Sequence, residues 1–152
     1  MKYSALSLAT LATLVGCGGN PDGIQFASVA GTVVINGEPA EGIQVTFEPA
    51  APADQIIVGP SSTGVTDAEG RFTLRTTSGT VRPAAVVGEH NVTLRIFREF
   101  SQDEETGAVT ENQPSPYALS REQQSGYKYT VPSSGTDEAV FSIDGVKRAG
   151  EK

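Results

Sequence analysis

Apolar and polar residues alternate along most of this chain in short runs broken by turn sequences. Val29, Val33 and Ile35 share one side of a period-two pattern, with Gly31 between them. Ile43, Val45 and Phe47 alternate with Gln44, Thr46 and Glu48, and Phe72 and Leu74 with Arg71, Thr73 and Arg75. Val92, Leu94 and Ile96 alternate with Asn91, Thr93 and Arg95, and Tyr127, Tyr129 and Val131 with Lys128 and Thr130. Ala139, Phe141 and Ile143 alternate with Glu138, Ser142 and Asp144, Val140 being the exception. Successive strand residues point to opposite faces, so these runs predict antiparallel strands with one buried and one wet side. Asn36-Gly37 and Asp67-Ala68-Glu69-Gly70 are turn sequences between such runs, and Pro132-Ser133-Ser134-Gly135 is expected to close a hairpin between the last two strands. No segment keeps apolar residues at helical spacing for three turns. The pattern predicts an all-β sandwich of six or seven strands, with Phe47, Phe72, Leu94, Ile96, Phe141 and Ile143 in its core.

Residues 99–126 break the alternation. The stretch holds Asp103, Glu104, Glu105, Glu111, Glu122, Pro114 and Pro116. So long an excursion is unusual in a compact domain. It is expected to be a mobile acidic loop or a crossover along the edge of the sheets, with the Tyr117 ring docked on the body.

The amino-terminal pattern is different. Lys2 is followed by a mainly apolar run of eleven residues, Ala5 to Val15, and then by Gly16-Cys17. Eleven residues suit the apolar part of a signal peptide and fall short of the roughly 20 that span a bilayer. Leu14-Val15-Gly16-Cys17 resembles the bacterial lipobox. That resemblance implies cleavage before Cys17 and a diacylglyceryl group on its thiol. It also accounts for a lone cysteine in an exported chain, which would otherwise be an exposed thiol or half of a disulfide. The expectation is a signal peptide over 1–16, a lipidated cysteine with a flexible tether over 17–27, and anchoring on the extracytoplasmic side of a membrane. Gly18 stands where an aspartate would resemble an inner-membrane retention signal, which leans the expectation toward the outer membrane. The six tether residues Gly18 to Gly23 have an average reach of about 13 Å, so the domain is expected close to the lipid surface.

Removing 16 of the 152 residues leaves 136, enough for one domain with a core of its own. Lys2 leaves with the signal peptide, so 10 basic side chains face 18 acidic ones, a net charge of −8. This balance argues against a nucleic-acid partner and against electrostatic attraction to anionic headgroups. Seventeen Gly and nine Pro, with no Trp, fit a chain of many turns.

Several segments in order carry a family resemblance. They are Val29-Ala30-Gly31-Thr32-Val33, Asn36-Gly37-Glu38-Pro39-Ala40-Glu41-Gly42-Ile43, Val45-Thr46-Phe47-Glu48-Pro49, Thr66-Asp67-Ala68-Glu69-Gly70-Arg71-Phe72 and Gly88-Glu89-His90-Asn91-Val92-Thr93-Leu94. Together with Gly16-Cys17-Gly18-Gly19, this order resembles bacterial lipoproteins that carry a carboxypeptidase regulatory-like domain. The resemblance covers about residues 28–145 and leaves 146–152 as a tail. It implies a single seven-stranded transthyretin-like (prealbumin-like) Greek-key sandwich, and it implies no catalytic residues and no cofactor. The 99–126 loop is longer and more acidic than that group usually has.

The candidate sites are few. His90 is the only histidine, and no Gly-x-Ser-x-Gly or similar nucleophile motif accompanies it, so it is expected to be a surface histidine at a strand end. One histidine and a lipidated cysteine make a zinc site an unfavoured reading. Asp67 and Glu69 are expected to serve a turn, with Asp67 bonding local N–H groups and Gly70 at positive φ, rather than to hold Ca²⁺. Asp103, Glu104, Glu105 and Tyr117 are the candidate binding loop. The resulting expectation is a non-enzymatic structural or binding module, held to the membrane through Cys17, with an envelope protein or polysaccharide as partner. The alternative is a small-ligand carrier with an apolar site on or between sandwiches.

Overall fold

Each alternating run forms a strand, and the apolar side of each run faces one shared core. The computed structural model of the chain describes residues 23–51, 59–111 and 115–150. The expected signal peptide, Cys17, the first residues of the tether and the last two residues of the tail lie outside the described residues. The elements in chain order are β1 (Phe26–Ala27), β2 (Val29–Ile35), β3 (Glu38–Pro39), β4 (Ile43–Pro49), β5 (Ser62–Val65), β6 (Arg71–Thr73), β7 (Arg75–Thr76) and β8 (Ala85–Val86). There follow β9 (Gly88–Ile96), β10 (Phe100–Gln102), β11 (Val109–Glu111), β12 (Tyr117–Ala118), α1 (Arg121–Gln124), β13 (Tyr127–Val131), β14 (Thr136–Ile143) and β15 (Lys147–Arg148). Among the described residues the four-residue α1 is the only α-helix. The chain is all-β, with several antiparallel sheets, consistent with the β-sandwich expected.

One sheet has the order β13-β9-β4-β5-β7. In the other, β2 is flanked by β14 on one edge and by β3 and β6 on the other. The segment from Arg71 to Thr76 belongs to both sheets. Its first half pairs with β2, the Leu74 N–H donates to the Val29 carbonyl, and its second half pairs with β5. That passage closes one side of the core.

One connection differs from expectation. β13 pairs with β9, whereas β14 pairs with β2 in the other sheet, so Pro132–Gly135 is an arch between sheets rather than a hairpin turn. The arch lets β14 run parallel to β2 in an otherwise antiparallel set. A hairpin would have left Phe141 in the same sheet as Tyr127 and Tyr129; the arch places it opposite them. Phe141 meets Phe47 edge-on at 5.9 Å, and also packs against Tyr127, Tyr129 and Phe72. Of the expected core, Phe47, Phe72, Leu94, Phe141 and Ile143 are buried. Ile96 is only half-buried, because it is the last residue of β9 and sits at the rim.

Backbone geometry fixes the register. Asn36 and Gly37 both take positive φ, 52° and 86°, as a two-residue turn that matches strand twist requires. The Asn36 side chain then clamps Val146 in both directions, Nδ2 donating to its carbonyl and Oδ1 accepting from its N–H. Gly31 lies opposite Ala139 of β14, beside a register shift between Thr136 and Ala139. A Cβ at Gly31 would run into the Ala139 carbonyl.

The body has two distinct ends. At the end where the described chain begins, Val87 N–H donates to Gln25, Ala50 to Glu89, Thr77 to Ser61 and Thr136 to Ser28. At the opposite end, Asn36 N–H donates to Ile143, Gly42 to Thr66, Phe97 to Gly42 and Ala149 to Pro116. The 99–126 excursion emerges at this far end, after β9.

Phe141→Ala removes the ring that joins the sheets and should cost about 3–5 kcal/mol, read from denaturant unfolding. Gly31→Ala should also destabilise, by about 1–3 kcal/mol, through forced separation of β2 and β14. Val140→Thr, on the exposed side of β14, should stay within about 0.5 kcal/mol. An unchanged midpoint for Phe141→Ala would contradict this packing.

Candidate functional site

The far end is built from turns whose polar groups are mostly used locally. Asp67 Oδ1 accepts from the N–H groups of Glu69 and Arg71, at 3.1 and 2.8 Å. Its Oδ2 accepts from the Arg71 guanidinium at 3.2 Å, and Arg71 also reaches Glu69. The Arg71 N–H, with help from its guanidinium, holds the Asp67 carboxyl below the usual aspartate range. Gly70 has φ 71°, as the turn reading expects. Arg71 thus stands where a cation would bridge Asp67 and Glu69.

The excursion over 99–126 is structured along much of its length. β10 and β11 form a hairpin whose turn contains Asp103, Glu104 and Glu105. Asp103 Oδ1 accepts from the N–H groups of Glu105 and Thr106 and from the Thr106 hydroxyl. The Thr106 N–H, first among these, depresses the Asp103 carboxyl. Glu104 and Glu105 are exposed. Further on, β12 pairs with β15, with Tyr117 opposite Arg148. Tyr117 packs against the core, as expected. Ser120 and Gln123 form a reciprocal cap at the start of α1, and the Gln123 side chain donates to the Asp144 carbonyl at 2.9 Å. The crossover is therefore tied to the body at several points.

A cleft of about 640 Å³ lies beside this crossover. Its walls come from Pro39, Glu41 and Gly42, from Val65, Thr66 and Ala68, from Phe97 and Glu99, and from Ser115, Pro116 and Tyr117. Of the predicted candidates it includes Tyr117 and none of Asp103, Glu104 and Glu105. Val65 and Phe97 are large apolar residues left 39% and 41% exposed. Glu41, Val65, Phe97 and Glu99 are not among the candidates expected from the sequence. The available signal was Phe97, an aromatic directly after Ile96 and out of phase with its strand.

His90 is not on the surface. It is 2% exposed, on the same side of β9 as Val92 and Leu94, and its ring lies 5.5 Å from that of Phe47. The side chain of a residue in phase with a buried pair points inward whatever its polarity. Nδ1 is 3.0 Å from the Gly88 carbonyl, which can only accept, so Nδ1 carries the proton of the neutral ring. Nε2 is buried and has no hydrogen-bond partner. Burial lowers the His90 pKa, against a smaller opposing effect of the Gly88 contact. Among the described residues no group of three or more His, Cys, Asp or Glu side chains is placed to hold a metal ion.

This chain matches no family model, no curated protein and no solved structure with which it was compared. The site is therefore read from its own geometry.

The buried histidine gives a pH signature. Above its ordinary value near 6.5, the ring is neutral folded or unfolded and adds no pH dependence. As pH falls below that value, the unfolded chain takes up a proton that the folded chain resists, so stability falls until the depressed folded value is reached. Asp67 and Asp103 act in the same direction, in a more acidic window. Their contribution is present above the ordinary value of 3.8 and is lost only as pH falls through their lower folded values. Unfolding measured between pH 7.5 and 5.5 should therefore show a loss of stability that His90→Leu abolishes. Equal slopes for the two proteins would refute the assignment.

Proposed function

We propose that this chain is a lipid-anchored bacterial envelope protein that works as a non-catalytic binding or structural module. The observation that carries the reading is Leu14-Val15-Gly16-Cys17 after a short apolar run. One acyl chain binds membranes only marginally, whereas two or more make release slow. The fold proposed is the carboxypeptidase regulatory-like, transthyretin-like sandwich. It is supported by the ordered motifs of 28–145 and by the strands that carry the two faces: β2, β4, β5, β6 continuing into β7, β9, β13 and β14. With Cys17 anchored, the entry end of the body lies toward the membrane, and the far end, with its hairpin and cleft, is displayed outward. A tether of six residues leaves little room for the reverse orientation.

The far-end chemistry supports binding more than turnover. Asp67 and Asp103 are committed to their own turns. The small-ligand carrier is the second reading, favoured by the apolar walls of the cleft around Val65 and Phe97. The two carboxylates among its lining residues make it a poor host for a purely apolar molecule.

The test is direct. The chain is expressed in a host with lipoprotein processing, and its membranes are fractionated and its amino terminus analysed by mass spectrometry. Residue 17 should be the first residue, carry lipid mass and partition with the outer membrane. Cys17→Ala should lose the lipid and the cleavage. Wild-type protein that is soluble and unlipidated would end the proposal.

A further inference from the structure

We infer that the far-end cleft is a docking site for a lysine or arginine side chain, presented with a neighbouring apolar residue by a segment of a partner protein. This rests on the binding-module reading and narrows it, favouring a protein over a neutral polysaccharide. The cleft combines two features, exposed apolar side chains and carboxylates. Its lining exposes Val65 and Phe97, and the Phe97 N–H donates to the Gly42 carbonyl at 2.8 Å. Glu41 and Glu99 also line it, and both are exposed.

Two arginines near this end face other carboxylates. Arg71 is engaged by Asp67 and Glu69, and Arg98 approaches Glu111 at 3.9 Å. No lysine or arginine is among the lining residues. The cleft is therefore an apolar surface bordered by negative charge. A long basic side chain suits both parts. Its methylenes lie along apolar surface while its head meets the carboxylates, and the Phe97 and Tyr117 rings can favour a cation over their faces. An anionic segment would be repelled, and a neutral apolar one would desolvate carboxylates without compensation.

The test uses the full lipidated chain in nonionic detergent and fluorescence anisotropy with dye-labelled hexapeptides. One peptide has Lys and Arg among leucines; matched peptides have Gln or Glu at the same two positions. The basic peptide should bind, and the Gln and Glu peptides should bind at least tenfold more weakly. Glu41→Gln combined with Glu99→Gln should weaken the basic peptide at least tenfold, and Phe97→Ser should do the same. Glu104→Gln with Glu105→Gln, on the hairpin tip, should leave it unchanged. All of these side chains are exposed, and an unchanged circular dichroism spectrum checks the fold. Equal affinity for the three peptides, no binding at millimolar peptide, or indifference to Glu41 and Glu99 would overturn the site. So would self-association that Phe97→Ser abolishes, since the occupant would then be a second copy of the chain. Peptide failure with normal membrane partitioning refutes the cleft alone; peptide binding by an unlipidated wild-type chain refutes the anchor alone.

Discussion

The contact on which the structure depends is the edge-on meeting of Phe141 with Phe47 between the two sheets. Phe141 also packs against Tyr127 and Tyr129 of the opposite sheet and Phe72 of its own. With no Trp in the chain, these rings supply most of the aromatic area available to the core. The packing needs Phe141 to face Phe47 across the gap, so β14 has to lie in the sheet opposite β13. The arch at Pro132–Gly135, the parallel pairing with β2 and the close approach at Gly31 all follow from that requirement.

The faces of the strands were legible in the sequence because period two is a local property. Val29 to Ile35, Ile43 to Phe47 and Ala139 to Ile143 each bury the side that alternation assigns. Sheet membership was not legible. Two alternating runs around Pro132–Gly135 look alike whether they pair or arch apart, and only the distant partners Val92 and Val33 decide the outcome. His90 shows a different limit. Its phase with Val92 and Leu94 points inward, and in the folded chain phase outweighs residue type and strand-end position.

The candidate site was legible only in part. Tyr117 stood out in the sequence as an aromatic after proline in an aperiodic stretch, and it does dock on the body. The acidic run at Asp103 drew attention by composition, yet Asp103 is occupied in shaping its own turn. The cleft itself joins four segments that lie far apart in the chain, and each reads locally as an ordinary turn or strand end. Glu41 and Glu99 are ordinary surface acids until the β4–β9 pairing and the Phe97–Gly42 hydrogen bond bring their turns together.

The polarity of the body links fold to proposed function. The chain enters at one end, and the hairpin, the crossover and the cleft gather at the other. Seven residues of β2 span roughly 20 Å between those ends. The most direct measurement uses lipidated protein in vesicles with a headgroup-linked acceptor dye. With Cys17 lipidated as proposed, Ser78→Cys at the entry end and Glu104→Cys on the hairpin each offer a single thiol for a donor dye. The account predicts strong energy transfer from position 78 and much weaker transfer from position 104. Equal transfer, or stronger transfer from position 104, would contradict an outward-facing far end.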